Sequence, residues 1–186
     1  RMSSNLNSSF QRQGSFFSAM FRKMFGGENF FLGKYEHPDG GKLTFAPSIP
    51  GHVEHRQLTN NSLNIMAGGF LACTPGVNIK AKFGGLKALF SGEGAFLLEA
   101  SGSGDLFFNS FGGVVEKQIN GEFIVDTGHV VAFDPSLDYK ITGMGSFKST
   151  MLSGEGMVMR FSGNGKLYLQ TRNVSSIASW LTPRLG

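Results

Sequence analysis

The run Leu89-Phe90-Ser91-Gly92-Glu93-Gly94 returns as Met151-Leu152-Ser153-Gly154-Glu155-Gly156, with the two glutamates 62 positions apart. A unit recurring at a period of this size restricts the fold to architectures in which similar supersecondary units share a core. Each run precedes an apolar stretch, Ala95 to Leu98 and Met157 to Met159. Paired glycines follow, Gly102 and Gly104 in one copy and Gly163 and Gly165 in the other. A second apolar stretch closes each copy, Asp105-Leu106-Phe107-Phe108 against Lys166-Leu167-Tyr168-Leu169.

A third copy lies upstream. Phe25-Gly26-Gly27-Glu28 opens it, Phe30-Phe31-Leu32 follows, Gly40-Gly41 form its turn, and Lys42-Leu43-Thr44-Phe45 closes it. The intervening stretches match as well. Leu63 to Val77 aligns without gaps to Phe123 to Leu137, which brings Ala72 onto Ala132 and Pro75 onto Pro135. The chain thus reads as a single compact repeat domain over 1–186, with modules of about 1–62, 63–122 and 123–182. In the same register Arg1 to Leu6 is the tail of such a stretch, so strands preceding it are expected outside this chain.

The copies read as strands. Leu43 and Phe45, Leu106 and Phe108, and Leu167 and Leu169 share a face at period two. The intervening Thr44, Phe107 and Tyr168 are placed on the face away from the core. Glycine is 27 of 186 residues with no collagen-like period, which points to many turns in a sheet-rich chain. Asn120-Gly121 and Asn164-Gly165 are expected as tight hairpin turns, and Gly102-x-Gly104 likewise. Each unit then consists of two hairpins in sequence. Helix is scarce. Phe17, Met20, Phe21 and Met24 define one apolar helical face ended by Gly26 and Gly27. Gly85 to Phe90 reads as one helical turn, and Ser175 to Leu181 as a terminal helix with Pro183 behind it.

Composition narrows the function classes. With 40% hydrophobic and 16% charged residues, the chain is a packed globule rather than a disordered segment. No apolar run approaches the ~18 residues that span a bilayer, and no secretory signal is visible. Residues 1–27 lack acidic groups and carry Arg1, Arg12, Arg22 and Lys23 among serines, a superficial likeness to a mitochondrial transit segment that the repeat absorbs. The expected compartment is cytoplasmic for a bacterial chain and mitochondrial for a eukaryotic one. A net charge of +4 permits anionic partners without demanding them.

Chemistry is sparse. Cys73 is the single cysteine, which excludes an internal disulfide and any multi-cysteine zinc site; a small buried hydrophobe is its expected role. His52 and His55 sit three apart, on opposite faces if the segment is a strand, and no third ligand is near, so no metal is expected. Gly92-x-Gly94 lacks the residues of a phosphate loop, and turns account for it. Asp126 and His129 are neighbours without a serine nucleophile. No catalytic residue and no cofactor are assigned.

Glu28, Glu93 and Glu155 hold one position in three copies, each preceded by a lysine: Lys23, Lys87 and Lys148. Around a pseudo-threefold axis they would form rings of carboxylates and ammonium groups able to hold an ion or a partner. The plainer account is that each glutamate accepts hydrogen bonds from turn amides at a module junction.

Gly27-Glu28-x-Phe30-Phe31-Leu32, Ala46-Pro47-Ser48-Ile49-Pro50-Gly51, Phe90-Ser91-Gly92-Glu93-Gly94, Asp126 to Phe133, and Leu169-Gln170-Thr171-Arg172 occur in this order. Together they resemble the bacterial and mitochondrial family named for altered inheritance of mitochondria, number twenty-four, over about Phe16 to Leu181. The resemblance implies an all-β fold of three tandem modules like the tryptophan RNA-binding attenuation protein, of the double-stranded β-helix or sandwich type. It implies further residues upstream, and a link to inner-membrane organisation in mitochondrial relatives. It carries over no catalytic residue, and fold alone does not fix function.

The expected role is a non-enzymatic, self-assembling scaffold or partner-binding protein. Open sheet edges at the ends of the module row invite homo-oligomers, and three chains of three modules would close a nine-module ring. The alternative is RNA or anion binding at basic positions near the module junctions, with Phe107 and Tyr168 as stacking candidates. A third option is peripheral membrane contact through the Phe/Met face of residues 16–25 with Arg22 and Lys23.

Overall fold

The computed structural model describes residues 3–4, 7–12, 31–83, 96–143 and 157–185. The helical stretches expected near 17–24 and 85–90, and Lys23, Glu28, Lys87, Glu93, Lys148 and Glu155, lie outside these residues. The fold is all-β, with one short α-helix among the described residues. The chain divides into a smaller unit, Arg1–Ala46, and a larger one, Pro47–Gly186.

In the smaller unit, β1 (Ser3–Ser4) pairs antiparallel with β4 (Leu43–Thr44), and β2 (Asn7–Arg12) with β3 (Phe31–Glu36). A tight turn follows β3, in which Gly40 N donates to His37 O at 3.2 Å and Gly40 takes the positive φ of 77° that glycine tolerates.

The larger unit runs through one succession of elements twice. The first pass is β5 (Val53–Met66), a 3₁₀ turn at Ala67–Gly69, β6 (Phe70–Cys73), β7 (Val77–Phe83) and β8 (Phe96–Asn109). The second is β9 (Val114–Asp126), a 3₁₀ turn at Thr127–His129, β10 (Val130–Phe133), β11 (Leu137–Gly143) and β12 (Met157–Gln170). In each pass the last strand is the hub. One edge of β8 pairs along β5, and the other takes β6 and then β7. β12 does the same with β9, and with β10 and then β11. β5 is one residue longer than β9 because Asn60, at φ 53°, sits in a bulge between Thr59 and Asn61. The two passes join where β10 pairs with the free edge of β5, Ala132 opposite Ile65 and Phe133 opposite Asn64.

The glycine-rich segments are not the hairpin turns expected of them. Gly102 and Gly104 lie inside β8; Asn120-Gly121 and Asn164-Gly165 face each other inside β9 and β12. The turns lie elsewhere, at Thr74–Val77 and Asp134–Leu137, each with proline second and closed by Val77 N to Thr74 O at 3.0 Å or Leu137 N to Asp134 O at 3.1 Å. The hub strand passes directly beneath these turns. A Cβ on Gly102 would stand 2.3 Å from Gly76 O, and one on Gly163 2.9 Å from Ser136 O. Glycine is therefore required there for close approach of two backbones, a use that resembles turn chemistry in sequence.

The core follows the period-two faces. Leu106, Phe108 and Leu167 are fully buried, while Leu169 is half-buried. Phe133, Met159 and Phe161 centre a cluster with Ile119, Leu137 and Leu97, so the first pass contributes Leu97 to the core of the second. Phe133 packs edge-on to Phe161 and Tyr139, with centroids 5.1 and 5.3 Å apart, the arrangement aromatic quadrupoles favour.

The terminal helix forms as its sequence suggests. α1 (Val174–Leu181) is capped by Asn173, whose side chain accepts from Ser175 N at 2.9 Å. Pro183 sits in the 3₁₀ turn that follows.

Candidate assembly surface

Where the second pass meets β5, one polar cluster spans the joint. Arg56 on β5 donates to the Tyr168 hydroxyl and lies 3.3 Å from an Asp134 carboxylate oxygen, with its guanidinium 5.6 Å from the Tyr168 ring centre. Asp134 also accepts from Lys166 N at 2.8 Å, which fixes the turn to β12. The Lys166 ammonium pairs with Glu116 at 2.7 Å. That hydrogen bond and charge hold the Glu116 carboxyl below the usual carboxylate range. Tyr168, expected on the outer face, is buried, since Arg56 and the edge of Phe108 cover it. Its burial pushes the phenol up to about 12, against the pull of the nearby Arg56 charge.

The same cross-strand place in the first pass holds His55 and Asp105, 2.8 Å apart, with His55 stacked on Phe107 at 4.9 Å. His55 stands where Glu116 does, and Asp105 where Lys166 does. His52 faces Glu54 at 3.3 Å, so the two histidines engage different carboxylates. His129 Nδ1 lies 2.8 Å from Gln170 O, and Asp126 accepts from Gly128 N at 2.7 Å, capping its 3₁₀ turn. Among the described residues no three His, Cys, Asp or Glu side chains are grouped to hold a metal ion. Cys73 is only half-buried; its thiol contacts Val77 O at 3.7 Å, and burial raises its pKa.

Several of the described basic side chains pair with carboxylates. Lys82 pairs with Glu99 at 2.9 Å and Arg160 with Glu122 at 3.2 Å, besides the Arg56 and Lys166 pairs.

What the surface leaves open is strand edge and apolar side chain. β9 pairs with β12 alone among the described strands, so thirteen residues present one unpaired edge. On it Val115 and Ile124 are 50% and 49% exposed. β6 pairs with β8 alone among the described strands and is half-buried throughout, whereas its counterpart β10, paired on both sides, is buried throughout. On α1, Val174, Ile177, Trp180 and Leu181 are all exposed. No helix among the described residues is long and apolar enough to cross a membrane.

The sequence repeat singled out Phe107, Tyr168, Asp105 and Lys166. It did not find Arg56 or Asp134, whose partnership depends on β5 and β10 meeting. Asp134 precedes Pro135, a pair that signals a turn and not an ion pair.

Comparison with known proteins gives one consistent answer. A family model described as mitochondrial biogenesis AIM24 matches residues 1–172. An uncharacterised protein of Streptococcus pyogenes serotype M6 is 32% identical over 183 residues, covering 97% of this chain and 74% of that protein. The crystal structure of a Streptococcus pyogenes protein superposes with a TM-score of 0.80 at 28% identity, covering 98% of this chain and 85% of that one.

Proposed function

This chain belongs to the mitochondrial biogenesis AIM24 family, and from that premise we propose that it is a non-enzymatic scaffold that assembles with itself. The observation that carries this reading is the edge of β9, unpaired among the described strands, thirteen residues long and bearing exposed Val115 and Ile124. Unpaired edges template strand addition, and monomeric proteins cover or charge them. The charged residues of β9, Glu116, Lys117, Glu122 and Asp126, leave Val115 and Ile124 exposed between and beside them.

The finer architecture proposed is three attenuation-protein-like modules in one chain. Its support is the order of ladders: β1 with β4 and β2 with β3 follow the same scheme as β6 and β7 on the two halves of β8. An RNA- or anion-binding role draws less support, because the cations beside the joint already have carboxylate partners.

The test is size exclusion with light scattering on the purified protein, with the 260/280 nm ratio recorded in the same run. A discrete oligomer with a protein-like ratio supports the scaffold. A monomer, or a particle whose nucleic-acid absorbance disappears with added salt, contradicts it.

A further inference from the structure

Among the described residues, the larger unit contains one completed joint and the two halves of another. In the completed joint, β10 lies antiparallel on β5, with Ala132 opposite Ile65 and Phe133 opposite Asn64. The counterparts of β10 and β5 in the other pass are β6 and β9. Ala72 and Cys73 on β6 stand where Ala132 and Phe133 stand on β10; Val125 and Ile124 on β9 stand where Ile65 and Asn64 stand on β5.

Exposure records which joint is filled. Asn64 and Ile65, covered by β10, are 6% and 0% exposed. Their counterpart Ile124 is 49% exposed, and Val125 is only partly buried. The two edges, unpaired among the described strands, belong to one molecule and are complementary, so they can be satisfied together by a head-to-tail neighbour. A contact of this kind is heterologous, joining different surfaces, and continues to a closed ring or a filament.

We propose that β9 of one copy pairs antiparallel with β6 of a second copy, with Ile124 opposite Cys73 and Val125 opposite Ala72. This names the partner and register of the assembly proposed above and rests on that reading. The new joint is more apolar than the completed one. Lys117 takes the place of Arg56, and Thr74 and Phe107 take those of Asp134 and Tyr168, so no ion pair of the Arg56–Asp134 kind forms. Its stability should therefore depend little on salt.

Cys73 is the only native cysteine, which makes the register testable. Ile124→Cys places a second thiol directly opposite it across the joint. Disulfide formation needs Cβ atoms about 3.5–4.5 Å apart, close to the spacing of directly opposed cross-strand residues. Oxidation is run at about pH 9 so that thiolate is present despite the burial of Cys73. The expected result is a ladder of covalent oligomers for Ile124→Cys, with mass spectrometry identifying a peptide pair that links Cys73 to the introduced thiol. Wild type, and Ile124→Cys combined with Cys73→Ser, should give none. A complementary variant, Ile124→Lys, should retain the wild-type circular dichroism and reduce the light-scattering mass to one chain. Three results overturn the inference. Cross-linking of Ile124→Cys without Cys73 would mean that β9 pairs with β9. An oligomer that neither cross-links nor responds to Ile124→Lys would leave the scaffold standing and remove this joint. A wild-type monomer would remove both.

Discussion

Replacing Gly102 by alanine, beside the same change at Gly121, separates two uses of glycine inside a strand. Both residues have positive φ, +123° and +104°, so both variants bear a backbone penalty of about 1–3 kcal/mol. At Gly121 nothing lies within 4 Å of the new Cβ, so the cost should end there. At Gly102 the Cβ would stand 2.3 Å from Gly76 O, well inside the 3.0 Å below which such contacts essentially do not occur. That carbonyl accepts from Ser103 N at 3.0 Å, so moving it weakens the bond tying the turn to β8. Forced packing adds about 1–3 kcal/mol and the weakened hydrogen bond about 1 kcal/mol. Gly102→Ala should therefore destabilise the protein by at least about 2 kcal/mol more than Gly121→Ala. Urea unfolding followed by circular dichroism reads the difference as a shift in midpoint at unchanged slope. Equal shifts for the two variants would refute the close-approach account and restore flexibility as the reason for glycine at position 102.

Other expectations follow from the same geometry. Phe133→Ala removes a fully buried ring packed against Phe161 and Tyr139 and should cost about 3–5 kcal/mol by urea unfolding. The Tyr168 phenol is raised to about 12 in the folded protein, so folding favours its neutral form. The stability this contributes is complete below the ordinary tyrosine pKa of about 10 and is lost as pH rises toward 12, by roughly 2 kcal/mol. Stability curves of wild type and Tyr168→Phe between those pH values should show the flatter slope in the variant. Asn173→Ala removes the cap of α1 and should cost about 1 kcal/mol, seen as lost helical ellipticity with the sheet signal unchanged.

The all-β class was legible because period-two faces survive divergence: Leu106, Phe108 and Leu167 are buried where the alternation puts them. The terminal helix was legible from residues 175–181 and Pro183, and the observed Val174–Leu181 differs by one residue at its start. The turns were not legible, because Asn-Gly and Gly-x-Gly serve two purposes with one chemistry. A hairpin turn needs positive φ for its own geometry, whereas Gly102 needs it for what lies above, and only the fold brings Gly76 there. The alternation that puts Leu167 inward puts Tyr168 outward. Tyr168 is nonetheless buried, since Arg56, 112 residues away in sequence, covers it. The repeated Glu and Lys positions lie outside the described residues, so the axial cluster remains a reading of the sequence.

Sedimentation velocity at low and high salt, over a range of protein concentration, tests the central claim most directly. Assembly through β9 with Ile124 and Val125 at the joint predicts one discrete oligomer whose sedimentation coefficient is nearly unchanged between the two salts. A single-chain species at every concentration, or an oligomer that dissolves as salt rises, would contradict it.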